Sequence, residues 1–384
     1  MSDSPSTTER RRARLLAWSH ATVDFCQGAI AALVPFFVLD RGYDYAHAAA
    51  VVLASSLASS IVQPLFGALG DKWRMPWLIP TSIFVSGAGL AAIAISGAFP
   101  ITILAAAVSG IGVAAFHPAG ASQARLISGD DHVVMSWFSL GGNLGFAFST
   151  LIVAASVGVL GLRATPLLLI PGLTGVVAVM LVVRTRSDPG IDHPQQATST
   201  THKDDWTAFA RTSIAITCRS IVFVTTGSFI GLLMHRYHGV NQHMASTALF
   251  IFYLGGAVGT TIGGRLARHW SRITILQWSY FIAIPVMAGM ILTPGPLAFV
   301  FIPVASIALY VPFSLHVSLG QELLPHHMGT ASGVTLGLAV SIGGIASPAI
   351  GALGDHIGLQ PALTPLILLP AIAGPVLWGM KDPR

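Results

Sequence analysis

The sequence predicts an all-α polytopic membrane protein with twelve transmembrane helices in two six-helix bundles. Of 384 residues, 53% are hydrophobic and only 9% are charged, whereas a soluble chain carries about 25% charged residues. Twelve apolar stretches are long enough for a bilayer-spanning helix, which needs about 20 residues. They are too long for the roughly ten-residue strands of an outer-membrane barrel. The predicted spans are residues 15–39, 45–69, 76–97, 101–124, 133–157, 164–183, 208–233, 244–264, 273–293, 297–320, 329–353 and 360–380.

The distribution of basic residues orients these spans. With both termini in the cytoplasm, 16 of the 20 Lys and Arg residues fall on the cytoplasmic side. Only Arg41, Arg163 and Arg236 fall outside, and Arg219 lies within a span. This asymmetry is the one that the positive-inside rule requires. The basic pI of about 9.6 therefore reflects helix ends and does not indicate nucleic-acid binding.

A polar segment divides the chain into two halves. Residues 184–206 are rich in Pro, Ser, Thr and charge, as expected of a flexible cytoplasmic linker. The halves also echo each other, because Leu140-Gly141 recurs as Leu336-Gly337. Two parallel six-helix repeats resemble the layout of major facilitator transporters. The predicted parts are a cytoplasmic tail (1–14), a bundle (15–183), the linker (184–206), a second bundle (207–380) and a cytoplasmic tail (381–384).

Ionisable residues inside the spans are the first candidates for a functional site. His20, Asp24 and Gln27 lie on one face of the first helix. A carboxylate in hydrocarbon costs roughly 3 kcal/mol or more, so Asp24 indicates a proton or substrate site, or a static ion pair that fixes packing. Arg219, at a similar depth in the seventh span, needs an anion, and we expect Asp24 as its permanent neighbour. Glu322 and a bound substrate are the other choices.

His117 precedes Pro118 within the fourth span. The proline should kink the helix, which is tolerated where the helix lines a cavity. His117 could relay a proton or could be a hydrogen-bonded packing residue.

The loop after the second span resembles the major facilitator signature G-x-x-x-D-K/R-x-G-K/R. It begins at Gly67 and includes Asp71, Lys72 and Arg74, and a neighbouring helix end offers Arg125 as a partner for Asp71. We predict a cytoplasmic latch, against the alternative of ordinary positive charge at a helix end. Arg74 replaces the second glycine of the signature. Residues 351–355 look similar but lie on the outer side, where we expect small-residue packing and a turn.

Four stretches, together with Arg219, resemble the fosmidomycin-resistance branch of the major facilitator superfamily. They are Ser19-His20 with Asp24 and Gln27, Phe116-His117-Pro118, residues 141–145 (GGNLG) and residues 320–333 (GQELLPHHMGTASG). The resemblance implies the major facilitator fold and drug export by proton antiport. Phe148-Ser149-Thr150 departs from the Gly-Pro of such antiporters. Further cavity candidates are Asn143 and His316, and Gln321 and Glu322 form a possible gate or an interfacial pair.

The predicted function is secondary transport, driven by the proton gradient without a cofactor, that exports small drug-like, anionic or amphipathic compounds. The alternative is a uniporter or proton symporter for an organic acid or sugar. No nucleotide-binding glycine loop or catalytic triad is present, so an enzyme is not expected. His235, His238 and His243 lack companion carboxylates or cysteines, so no metal site is predicted. Expected partners are substrate, protons and lipid in a cell inner membrane, with the chain monomeric.

Overall fold

The computed structural model describes residues 7–73, 75–128, 132–184, 203–327, 331, 334–335 and 339–383. Helices joined by turns make up these ranges, without a β-strand. The α-helices of the first half are α1 Thr7–Arg41, α2 Tyr45–Lys72, α3 Leu78–Ala92, α4 Phe99–Ser128, α5 His132–Leu160 and α6 Leu169–Arg184. Those of the second half are α7 Trp206–Arg236, α8 Gln242–Leu266, α9 Arg272–Leu292, α10 Ala298–Leu323, α11 Ala339–Ile357, α12 Leu359–Leu363 and α13 Leu368–Val376.

The helices account for the twelve predicted spans. Ten helical segments of the described residues are long and apolar enough to cross a membrane, the last of them formed by α12, a 3₁₀ turn and α13 together. The remaining two places are taken by α3, with 15 residues, and α11, with 19. Helix α3 ends at Ala92, five residues before the predicted boundary, because a turn containing Gly97 precedes α4.

The first helix of each half occupies the middle of the molecule. In the apolar part of α1, 83% of the residues are buried, and in that of α7, 78% are buried. Both fractions are larger than in the other candidate spans. Helix α1 packs on α2, α4, α5 and α6, and it also touches α7 across the boundary between the halves. The polar residues predicted on α1 and α7 are therefore held at the centre of the fold.

One end of the molecule, which we call the outer end, carries the glycine turns at Gly42, Gly161, Gly239, Gly295 and Gly358. All five glycines have positive φ, a conformation that other residues adopt only with strain. The distribution of basic residues predicts that this end faces the outside of the cell. The two halves meet closely here.

A carboxylate from the second half closes the outer end. Asp355 of α11 accepts hydrogen bonds from the backbone N–H groups of Tyr45 (2.8 Å) and Ala46 (3.2 Å), at the start of α2. Unpaired N–H groups and the helix dipole make this terminus an anion site. Gly351 lets the helices approach, since a Cβ there would lie 2.8 Å from the Tyr45 backbone. For residues 351–355, the prediction of small-residue packing and a turn was wrong in part. Helix α11 continues to Ile357, and Asp355 joins the two halves.

A second contact reinforces this outer clasp, which we define as Asp355, Arg236 and the start of α2. Arg236 of α7 donates a hydrogen bond to the Tyr45 hydroxyl at 2.7 Å, and its guanidinium lies 5.5 Å from the centre of the Tyr45 ring. Toward the other end of α2, Ile61 and Leu65 are 66% and 57% exposed. Burial of α2 thus falls along its length, and the hydrogen bonds that it makes to the other half lie at its outer end.

We expect Asp355→Ala to loosen the outer end. A hydrogen bond to a charged group contributes about 1.5–3 kcal/mol, so losing the pair should raise the population open at this end at least about tenfold. Ala245, 2% exposed beside α1, is the reporter position. An Ala245→Cys variant, with Cys26 and Cys218 replaced, should react faster with an impermeant maleimide once Asp355 is removed.

Asp40 gives the matched control, because it is an exposed aspartate near the same end of the molecule. Asp40→Ala should leave the labelling rate of the introduced cysteine unchanged. Equal labelling with and without Asp355 would show that its hydrogen bonds do not hold the outer end closed.

Candidate functional site

Three ionisable side chains predicted to couple protons meet in the first half of the structure. Nε2 of His20 lies 3.2 Å from Oδ2 of Asp24, one turn further along α1. Nε2 of His117, from α4, lies 3.2 Å from Oδ1 of the same carboxylate. His20 and Asp24 are 8% and 7% exposed, and the His117 side chain is 26% exposed. We call this trio the carboxylate cluster.

Backbone carbonyls fix the orientation of both imidazoles. Nδ1 of His20 lies 2.7 Å from the carbonyl oxygen of Phe138, and Nδ1 of His117 lies 2.9 Å from that of Val113. A carbonyl only accepts hydrogen bonds, so each Nδ1 carries a hydrogen. Each Nε2 therefore turns toward Asp24 and carries a proton only when the imidazole is charged.

The two Nε2 atoms differ in their hydrogen bonding. His117 Nε2 and Asp24 Oδ1 have hydrogen-bond geometry. His20 Nε2 is equally close to Oδ2 but poorly aligned, and it is buried without a hydrogen-bond partner. The cluster thus has a hydrogen-bonded pair on the His117 side and an unsatisfied nitrogen on the His20 side.

The way in which α5 packs on α1 leaves space for the side chains of the cluster. A Cβ at Gly142 would overlap Oδ2 of Asp24 and lie 2.8 Å from Nε2 of His20. The rings of Phe116 and Phe138 stack on the His20 ring, with centroids 5.7 and 4.1 Å away. The glycine of the predicted GGNLG stretch and two aromatic rings therefore shape the pocket that holds the acid.

Arg219 does not contact Asp24, so the prediction of an ion pair between them was wrong. Its Nη1 donates to the carbonyl oxygen of Leu309 on α10 at 3.1 Å. The guanidinium lies 5.1 and 5.9 Å from the centroids of Phe313 and Phe223. Asp24 is instead held by two histidines of its own half, which leaves the cation in the other half.

Arg219 is a buried cation without a carboxylate partner in the part of the chain that the structure describes. It is 6% exposed, and none of the ion pairs among the described residues includes it. Its Nε is buried and makes no hydrogen bond. A guanidinium presents five N–H donors in a planar fork that suits carboxylate or phosphate oxygens. The arrangement therefore provides donors for an anion between aromatic rings.

The other cavity candidates lie at various depths. His316 of α10 is 2% exposed, and its Nε2 lies 3.4 Å from the hydroxyl of Tyr280, which itself donates to the Ala215 carbonyl. Nδ1 of His316 is buried without a partner. Gln27 and Asn143 are partly exposed, on α1 after Asp24 and on α5 beside Gly142.

Glu322 belongs to an ion-pair network that the sequence did not predict. Arg272, at the start of α9, is fully buried, and it donates to both oxygens of Glu322 at 2.8 and 2.6 Å. Its Nη2 also lies 2.5 Å from Oδ1 of Asp382. All three belong to the second half, so this ion pair does not itself join the halves, and gating by Glu322 and the partly buried Gln321 stays a prediction.

Most of the predicted latch lies outside the described residues. This applies to Arg74 and to the side chains of Asp71, Lys72 and Arg125. Gly67 is described, and a Cβ there would lie 3.9 Å from Cβ of Pro118. The latch therefore stays a prediction.

Another inner-end contact anchors the residues just before α7. Asp204 accepts from the backbone N–H of His326 at 3.1 Å and lies 2.7 Å from Nδ1 of His327. Although burial would raise the pKa of Asp204, these hydrogen bonds outweigh it and lower the pKa below its usual value.

The carboxylate cluster also has the donor atoms of a metal site. Among the described residues, it is the group of His and Asp side chains whose ligand atoms all lie within 4.8 Å of one another. The outer histidines do not form such a group, and Nδ1 of His235 lies 2.9 Å from the carbonyl oxygen of Val240.

Comparisons with known proteins agree with this fold. The model of the Major Facilitator Superfamily matches residues 16–348. The chain is 26% identical to the fosmidomycin resistance protein of Escherichia coli (strain K12), over 90% of this chain and 86% of that protein. It is also 26% identical to YfnC, an uncharacterized MFS-type transporter of Bacillus subtilis (strain 168), over 96% of this chain and 92% of that protein.

Solved structures show the same architecture at lower identity. An inward-facing, occupied bacterial homolog of the human lysosomal transporter Spinster superposes with a TM-score of 0.80 at 16% identity, covering 97% of each chain. The nucleoside transporter NupG gives 0.73 at 15% identity, covering 96% of this chain and 98% of its own. With a family model that spans most of the chain and a matching fold, the protein belongs to the Major Facilitator Superfamily of transporters.

Proposed function

We propose that this chain is a proton-coupled secondary transporter that exports small anionic or amphipathic, drug-like compounds by alternating access. It works as a monomer in the cell inner membrane, with both termini in the cytoplasm. The proton gradient supplies the energy, and no cofactor takes part. The name of the Escherichia coli relative makes fosmidomycin, an anionic phosphonate, the first compound to test.

The observation that carries this proposal is the separation of two buried charges between the halves. Arg219 in the second half contacts no carboxylate of the described residues, whereas Asp24 in the first half contacts two imidazoles. Leaving a buried charge without its partner costs several kcal/mol, and retaining such a charge points to a ligand that completes it. An anionic substrate would pair with Arg219, and protons would bind to the carboxylate cluster.

Movement of the halves would link the two sites. Asp24, His20 and His117 belong to α1 and α4, while Arg219 and Leu309 belong to α7 and α10. Rocking about the centre would therefore alter the electrostatic field at the cluster without breaking its internal contacts. Antiport requires that the access state that binds the anion holds the cluster deprotonated, whereas an anion bound close to the cluster would favour its protonated form and produce symport.

The distance between the sites favours proton symport as the second candidate. Direct competition of proton and substrate for one group would produce antiport, but Asp24 and Arg219 do not form one group. A proton and an anion can then be held together, as in uptake of an organic acid. The direction of proton movement during substrate flux distinguishes the two functions.

We expect Asp24→Asn to abolish transport driven by a pH gradient while substrate binding persists. The amide cannot exchange a proton, so the cluster would lose its coupling role. Transport of fosmidomycin into or out of proteoliposomes with an imposed pH gradient, together with binding to the detergent-solubilised protein, would measure both effects. Asp40→Asn is the control, since this aspartate is exposed at the outer end. Uphill transport by Asp24→Asn would reduce Asp24 to a packing role.

We expect Arg219→Ala to weaken the binding of anionic substrate about tenfold to a hundredfold, because a hydrogen bond to a charged group contributes about 1.5–3 kcal/mol. Arg219→Lys should recover part of the loss by restoring the charge. Arg265→Ala is the control, since Arg265 is exposed on α8. Equal affinity of wild type and Arg219→Ala in equilibrium binding would remove Arg219 from the substrate site.

A further inference from the structure

The donor atoms of the carboxylate cluster are of the types that bind a metal ion of the zinc class. His20 and His117 supply one Nε2 each and Asp24 supplies a carboxylate, and the ligand atoms lie within 4.8 Å of one another. Zinc sites use imidazole nitrogen and carboxylate oxygen, and open sites have three protein ligands with one further position for water. We propose that the trio binds one divalent transition-metal ion, Zn²⁺ or Co²⁺, in place of protons.

The distances approach those of tetrahedral coordination. Zinc bonds of about 2.0–2.2 Å at tetrahedral angles place neighbouring ligand atoms roughly 3.3–3.6 Å apart. Both Nε2–oxygen distances in the cluster are 3.2 Å. The two nitrogens face different oxygens of the carboxylate, and the ligand atoms of the trio lie within 4.8 Å of one another, so the rings would have to close by up to about 1.5 Å to surround a shared ion.

The surroundings present the nitrogens as ligands. The carbonyl oxygens of Phe138 and Val113 accept from the two Nδ1 atoms, which leaves the Nε2 lone pairs directed at the site. Metal-binding histidines are commonly oriented by such second contacts. Nε2 of His20 is buried without a hydrogen-bond partner, so a metal would satisfy an atom that the protein leaves unsatisfied.

Space and charge also favour an ion. Gly142 has no Cβ to fill the position beside Oδ2 of Asp24 and Nε2 of His20. The partly exposed His117 side chain gives the cluster an approach from outside its pocket. The carboxylate neutralises one of the two metal charges, and no basic residue forms an ion pair with it among the described residues apart from the two histidines.

Metal binding to the purified full-length chain, freed of any affinity tag, tests this inference. Titration with Co²⁺ should produce visible absorption bands of a tetrahedral ion with one site per chain, and Zn²⁺ should displace it. The apparent affinity should fall as the pH is lowered, since protons compete for the ligands. Loss of an outer-shell partner alone costs about 10–100-fold in metal affinity, so His20→Ala and His117→Ala should each cost at least about tenfold.

Two control variants address the other histidines. His235→Ala removes an outer histidine, and His327→Ala removes the imidazole beside Asp204 at the inner end. Both should retain the Co²⁺ bands. Thermal unfolding identifies a variant that fails to fold, in which case His20→Asn and His117→Asn replace the alanine variants.

The inference does not depend on proton-coupled transport, because binding is read without transport. Absence of tetrahedral Co²⁺ bands in the wild type would overturn it. So would bands that survive in His20→Ala and His117→Ala but disappear in His327→Ala. A chain that binds Co²⁺ at the trio yet transports without protons would support this inference and contradict only the proposed function.

Discussion

The low polarity of the membrane-spanning core governs this structure, since each buried charge requires a partner. Arg272 is the fully satisfied case, with Glu322 and Asp382 both in contact with its guanidinium. Asp355, which is exposed at the outer end, accepts hydrogen bonds from backbone N–H groups of the other half. Arg219 has a carbonyl oxygen and aromatic rings but no carboxylate among the described residues. The contrast between the two buried arginines is the reason for proposing that Arg219 binds an anionic ligand whereas Arg272 has a structural role.

The placement of these groups connects fold to mechanism. The outer clasp joins the halves through contacts that a rocking motion would have to break, whereas the carboxylate cluster is built within one half and survives that motion intact. In the proposed mechanism, hydrogen bonds at the outer end bias the access state, and the carboxylate cluster and Arg219 respond to it. Two separate sets of residues can thus regulate opening and proton binding.

Several of these features were predictable from the sequence and several were not. Apolar length and basic-residue distribution predict the helices, and the one-turn spacing of His20 and Asp24 predicts their contact. The partner of Arg219 was mispredicted, because similar depth in two helices says nothing about which faces meet. The pairing of Arg272 with Glu322 and Asp382 joins residues 50 and 110 positions apart, so no local pattern reveals it. Asp355 had a signal in its glycine-rich stretch, but its partner is backbone, which carries no sequence signature.

The central claim is that the carboxylate cluster exchanges protons when substrate binds, and the most direct measurement is the proton change itself. Fosmidomycin is added to the detergent-solubilised protein in weakly buffered solution with a pH indicator. Export by antiport predicts proton release in the wild type, uptake would indicate symport, and Asp24→Asn should show neither. A proton change of equal size in Asp24→Asn, or none in a wild type that binds the compound, would contradict the account.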